Sequence, residues 1–90
     1  MAIEVRIPTI LRTYTSDAKV VTAEGATLEA VVRDLDVRYP GIADRLIDES
    51  GLRRFVNVYL NDEDVRFLDG LSTPVADNDS ITILPAVAGG

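Results

Sequence analysis

The chain contains no cysteine and no histidine. The first absence excludes disulfides, thiolate nucleophiles and iron–sulfur ligation. The two together exclude the usual zinc ligand sets and the histidine base of Ser-His-Asp or Cys-His chemistry. Lysine is nearly absent as well: Lys19 is the only one, so an enzyme built on this sequence would have to work with carboxylates, tyrosines and that one amine. Basic charge is scarce, nine Lys and Arg against fifteen Asp and Glu, for a formal net charge of −6. A field of that sign repels phosphate backbones and favours basic protein partners, so no nucleic acid is expected to bind. No apolar run approaches about 18 residues and no basic-apolar-small leader is present, so no membrane span or signal peptide is expected. The expectation is a soluble, cytoplasmic protein with no membrane partner.

What is present is the makeup of one small globular domain: 90 residues, 47% hydrophobic and 27% charged, enough for a single core. In residues 2–7, Ile3, Val5 and Ile7 alternate with Glu4 and Arg6, the period of a strand with one buried face, and Pro8 closes it. Residues 9–18 read as a connecting loop, and 19–23 as a second strand carrying Val20 and Val21, so an opening hairpin is predicted. Thr27 is a candidate N-cap. After it Leu28, Val31, Val32 and Leu35 recur at i, i+3, i+4 and i+7, the apolar stripe of an amphipathic helix. Glu29 with Arg33 and Asp34 with Arg38 form acid-first i,i+4 pairs on its wet side. Tyr39, Pro40 and Gly41 end that helix, and Ile42, Leu46 and Ile47 predict a short second one stopped at Ser50 and Gly51. Residues 55–60 predict a strong strand with Val56, Val58 and Leu60 on one face and Phe55, Asn57 and Tyr59 on the other. Asn61 and Asp62 turn the chain into a brief strand over 65–67, Asp69 and Gly70 turn it again, and 71–76 reads as irregular.

The order strand, strand, helix, short helix, strand, short strand, strand predicts an α+β fold of the β-grasp (ubiquitin-like) type, a mixed sheet with one main helix packed on one face. The first and last strands are the most apolar and are expected to pair centrally. Parallel pairing there uses the long crossover that the helix supplies. Val31, Leu35, Val58 and Ile83 are the expected meeting point of helix and sheet.

The C-terminal segment is where this order leads. Ile81 and Ile83 alternate with Ser80 and Thr82 after an Asp77-Asn78-Asp79 turn, and Pro85, with no N–H to give, should end regular pairing. The expected division is a folded domain over 1–85 and a flexible tail over 86–90, because five residues after a strand-ending proline have little to bury. Fully extended, they reach about 17 Å. No side chain after Asp79 is charged, so a terminal carboxylate would be the arm's only charge. Gly89 and Gly90 leave no Cβ beside it, which lets the end enter a narrow cleft. Gly90 is therefore the candidate for covalent chemistry, with Ala86, Val87, Ala88 and Gly89 threading into a partner's active site. A frayed end that finishes in glycine is the plain alternative.

Three local signals are weighed against simple solvation. Asp62-Glu63-Asp64 and Asp77-Asn78-Asp79 could suggest calcium, but neither continues into a loop with the EF-hand glycine and final bidentate Glu, so solvated turns are expected. Arg53 and Arg54 form a charged strand entry that could dock an acidic partner. Phe55 and Tyr59, on the face away from the helix, with Leu84 as neighbour, form a candidate partner-docking patch, burial under loops being the other reading.

Three stretches carry a likeness: Ile7-Pro8-Thr9-Ile10-Leu11-Arg12, the run from Phe55 through Asn61-Asp62-Glu63-Asp64-Val65-Arg66 to Phe67, and the end from Asp77 through Leu84-Pro85-Ala86-Val87-Ala88-Gly89-Gly90. They resemble the ubiquitin-like sulfur-carrier proteins of the MoaD/ThiS family, and within it most the branch serving cysteine biosynthesis. The likeness spans essentially the whole chain. One departure is Asn78, where the family's turn usually has glycine; asparagine tolerates the left-handed conformation, so the turn is expected to survive. The resemblance implies no catalytic residue and no metal in this chain. It implies that Gly90, whose ionised carboxylate is a poor electrophile, is activated as an acyl-adenylate by an ATP-using, E1-like adenylating and sulfurtransferase enzyme and becomes a thiocarboxylate. It further implies a PLP-dependent cysteine synthase that takes up the sulfur, and a JAMM-type zinc metalloprotease that releases cysteine and restores the Gly-Gly end. ATP, PLP and zinc would belong to those partners, with no cofactor bound by this chain. Two other readings use the same terminus: a carrier for molybdopterin or thiamin synthesis, and a ubiquitin-like modifier conjugated to lysines.

Overall fold

The computed structural model describes residues 2–49, 51–53 and 56–85. Alternation sets the sheet. In β1 (Ile3–Arg6) and β2 (Val20–Ala23) every second residue is buried, Ile3, Val5, Val21 and Ala23 facing inward while Glu4, Arg6, Val20 and Thr22 face out. The two strands pair antiparallel with Val5 opposite Val21, which is the predicted hairpin. Its connection is more ordered than a plain loop. A 3-10 turn at Thr9–Leu11 buries Leu11, and the buried Thr15 hydroxyl donates to the Ala18 carbonyl at 2.9 Å.

The main helix, α1 (Leu28–Arg38), begins where the N-cap was expected. Thr27 is extended, and its Oγ1 accepts from the Ala30 amide at 3.2 Å. The stripe of Leu28, Val31, Val32 and Leu35 is buried, and Arg33 meets Glu29 and Arg38 meets Asp34 on the wet side. Gly25 lets the chain pass close beneath this helix: a Cβ there would lie 2.6 Å from the Val31 nitrogen. Replacing Thr27 with alanine removes one amide's partner, and the expected cost is about 1 kcal/mol. A lower denaturant midpoint at unchanged m value is the check.

Asp36 carries the chain from α1 into α2 (Ile42–Leu46), its Oδ1 accepting from the amides of Gly41 at 3.0 Å and Ala43 at 3.2 Å. This second helix is shorter than predicted. It ends at Leu46, and Ile47, extended at φ −131°, opens the two-residue strand β3 (Ile47–Asp48), which pairs with β4 (Gly51–Leu52). Gly51 supplies the positive φ of 113° that returns the chain; Ser50 lies outside the described residues.

β5 (Val56–Leu60) buries Val56 and Val58 and leads into a turn with Asn61 at φ 50° and Asp62 at φ 77°, the doubly positive geometry of a tight hairpin. The return strand is β6 (Glu63–Asp64), two residues earlier than expected. Val65–Phe67, predicted as a strand, is a 3-10 helix instead. Asp64 decides this: its Oδ1 accepts from the Arg66 amide at 2.9 Å, and the Leu68 amide then reaches the Val65 carbonyl at 3.0 Å. A second 3-10 turn, Gly70–Ser72, lies in the stretch read as irregular.

β7 (Ser80–Pro85) closes the sheet, parallel to β1 and antiparallel to β5, in the order β2-β1-β7-β5-β6. The last strand is thus central and pairs with the first, as expected. Val31, Leu35, Val58 and Ile83 are all buried in one cluster. The result is the predicted α+β, β-grasp arrangement.

Candidate functional site

Two interlocked turns hold the entrance of β7. In the first, Asp79 Oδ2 accepts from the Ala76 amide at 2.8 Å, and Asn78 takes φ 71°, the left-handed value that asparagine was expected to tolerate. In the second, Asn61 donates its Nδ2 to Asp79 Oδ1 at 3.0 Å and accepts from the Ser80 amide at 2.9 Å. The Ala76 amide and then the Asn61 side chain hold the Asp79 carboxyl below its ordinary pKa. A carboxyl depressed in the folded state adds stability above its unfolded pKa, near 3.9. That stability is lost as pH falls through the lower folded value. Asp79→Asn is therefore expected to flatten stability against pH below about pH 5 and to leave it pH-independent near neutrality, as read from thermal midpoints across pH. Elsewhere, the Glu24 amide, with Arg38 adding to it, lowers the pKa of Asp34 against the opposing effect of burial.

The exit of β7 is the other end. Among the described residues, the pairing of β7 with β5 runs as far as Val56 with Pro85. Ala86, Val87, Ala88, Gly89 and Gly90 lie outside the described residues, as do Arg54 and Phe55. The structure therefore locates where the tail leaves: from the middle strand of the sheet, at its rim. Of the expected docking patch, Tyr59 sits opposite Thr82 and Leu84 opposite Asn57, two residues on along the same uncovered face. Tyr59 is half-buried and Leu84 is 44% exposed.

Of what surrounds this exit, sequence reasoning had marked Arg53 as a candidate dock for an acidic partner and missed the rest. An open groove of about 870 Å³ runs beside Leu84 and is lined by Pro8, Ile10, Tyr14, Arg45 and Arg53. A second, of about 530 Å³, lies across Ile10 and Leu84 and is lined by Arg12 and Lys19. Ile10, 67% exposed, stands between them. A lone isoleucine in a polar loop has no periodicity to mark it. Arg66 was missed as well: it reaches back to donate to Asn57 Oδ1 at 2.7 Å and to the carbonyls of Val56 at 2.6 Å and Arg53 at 2.8 Å. Its guanidinium thereby occupies backbone acceptors at the start of β5, on the edge that the short β6 leaves uncovered.

Among the described residues no group of three or more acidic side chains is placed to hold a metal ion, and no helix is long and apolar enough to cross a membrane. Asp62, Glu63, Asp77 and Asn78 are exposed, in keeping with solvated turns.

The model of the ThiS family matches residues 5–90, which takes in both turns, the central strand and the tail. The chain belongs to the ThiS family. Among its relatives, the sulfur carrier protein CysO of Mycobacterium tuberculosis (strain H37Rv) is 59% identical over 93 aligned positions, covering all of both chains. The small archaeal modifier protein 3 of Haloferax volcanii is 40% identical over 67 positions, 74% of this chain and 73% of that one. Among solved structures, the complex of BexX and CysO from Amycolatopsis orientalis matches with a TM-score of 0.94 and 56% identity, over 99% of this chain and all of that one. The ThiS-family domain here is thus of the ubiquitin-like β-grasp type in sequence and in structure.

Proposed function

We propose that this chain is a sulfur carrier for cysteine biosynthesis, acting as a substrate of other enzymes and not as a catalyst. The observation that carries the reading is the full-length, 59% identity to a protein named sulfur carrier protein CysO. The tail's composition supports it: Ala86-Val87-Ala88-Gly89-Gly90 has no side chain that could react, which leaves the carboxyl of Gly90. As a carboxylate it resists nucleophiles, because its charge and resonance would have to be overcome. An ATP-using, E1-like partner would convert it to an acyl-adenylate, from which a sulfur nucleophile displaces AMP to leave a thiocarboxylate. The Amycolatopsis CysO was solved with a protein partner, BexX, consistent with a carrier that works by docking.

ATP, PLP and zinc are assigned to the partners: the adenylating enzyme, a PLP-dependent cysteine synthase and a JAMM-type metalloprotease, all expected in the cytoplasm. The chain's own part is to hold the rigid domain at the partner's surface while residues 86–90 reach the reacting atoms. With the synthase and an activated serine added to the thiocarboxylate form, the carrier is expected to gain one cysteine residue at its C-terminus, seen by intact mass. A thiocarboxylate that gains no cysteine but supports molybdopterin or thiazole formation would move the chain to another branch of the family. The likeness to small archaeal modifier protein 3 favours one alternative, conjugation to lysines; lysine adducts formed without any thiocarboxylate would establish it.

A further inference from the structure

On a chain of net charge −6, the described residues that line the two grooves flanking Leu84 include Arg6, Arg12, Lys19, Arg45 and Arg53 against one carboxylate, Asp44. On α1 the cations are neutralised: Arg33 pairs with Glu29, and Arg38 with Asp34 and Glu24. Around the exit they are held by neutral oxygens instead. Arg12 donates its Nε to the Ile7 carbonyl at 3.2 Å, Arg45 to the Tyr14 hydroxyl at 2.8 Å, and Arg53 to the Asp44 main-chain carbonyl at 2.6 Å. Among the described residues, these three and Lys19 form no ion pair; only Arg6 does, with Glu4 at 3.6 Å. A neutral acceptor fixes where a guanidinium points without cancelling its charge.

Between the two sets of cations stand Pro8, Ile10 and Leu84. Exposed apolar surface rimmed by charge of one sign has the composition of a protein docking site. The remainder of the molecule, more acidic than the net charge alone conveys, would turn away from a carboxylate-rich surface while this collar is drawn to it. We propose that the collar receives an acidic segment of the enzyme that takes the C-terminus, so that the carrier is steered in with its tail foremost. The proposal rests on the tail being the reacting end, and is independent of whether its cargo is sulfur. Rim charges of this kind act on the association rate and its salt dependence more than on the contact itself.

The test measures association with the host's adenylating enzyme by stopped flow. Arg45→Gln with Arg53→Gln is expected to slow association roughly tenfold at low ionic strength, with the gap closing near 0.5 M salt as screening shortens. Lys19→Gln, whose side chain makes no described hydrogen bond or ion pair, should act in the same direction without risk to the fold. Arg45→Lys with Arg53→Lys should restore most of the rate. Arg33→Gln, which like Lys19→Gln removes one charge but lies outside both grooves, should leave it unaltered. Equal slowing by Arg33→Gln, no slowing by the collar variants, or a parent that does not associate at all overturns the proposal. Sulfur loading is followed in the same samples. A parent that associates in a salt-dependent, collar-dependent way but gains no sulfur refutes the sulfur-carrier reading and upholds the collar. A parent that gains sulfur while the collar variants associate like it does the reverse.

Discussion

Appending one residue after Gly90 is expected to abolish sulfur loading while leaving the domain's thermal midpoint unchanged. Among the described residues the buried cluster ends at Ile83, eight positions before the appended residue, so the described core keeps its packing. The reacting carboxyl, by contrast, is displaced by one residue, about 3.4 Å, from any partner atom poised to attack it. A displacement of about 1 Å already costs on the order of a hundredfold in a positioned reaction. The loss should therefore exceed what an intact-mass time course can detect. An extended variant that still gains sulfur would place the reacting group elsewhere on the chain.

Leu35→Ala and Ile83→Ala are expected to cost about 2–5 kcal/mol each, the range for truncating a buried Leu or Ile. Leu35 is 1% exposed and Ile83 3%. Ile83 lies opposite Val58 in the central strand, so its loss opens a cavity between the helix and the strand that carries the tail. Against a total stability of about 5–15 kcal/mol for a domain of this class, either change removes a large share. Val37, on the same helix but 80% exposed, is the comparison: Val37→Ala should change stability by less than about 0.5 kcal/mol. Denaturant midpoints at constant m value distinguish the two outcomes, and a Leu35→Ala midpoint equal to that of Val37→Ala would contradict the packing described.

The parts of the fold legible in the sequence are those longer than one period of their pattern. β1, β2, β5 and β7 alternate over four residues or more, and α1 repeats its stripe across its full length, so Val5, Leu35, Val58 and Ile83 could be assigned inward before any contact was known. Two-residue strands offer no period, which is why β3 and β4 went unread and Ile47 was assigned to the helix before it. Val65 and Phe67 mimic strand alternation, yet Val65 is buried and Phe67 is 87% exposed on a 3-10 turn. The deciding groups, the Asp64 cap and the return of Arg66 to β5, act through the local turn and through tertiary structure.

For the site the division is similar. Tyr59 and Leu84 could be placed on one face because register follows from alternation. The collar could not, because Arg12, Lys19, Arg45 and Arg53 come from three separate stretches that only the closed fold brings to the rim of β7. Asn78 was legible from conformational preference alone, and takes the left-handed geometry it was expected to tolerate.

The central claim is that the carboxyl of Gly90 is the cargo site, and intact mass of the parent protein tests it most directly. After incubation with the host's E1-like adenylating enzyme, ATP and a sulfide source, exchange of one oxygen for sulfur is expected, mapped by fragmentation to Gly90 and absent when ATP is omitted. An unchanged mass, or sulfur located anywhere but the last residue, would contradict it.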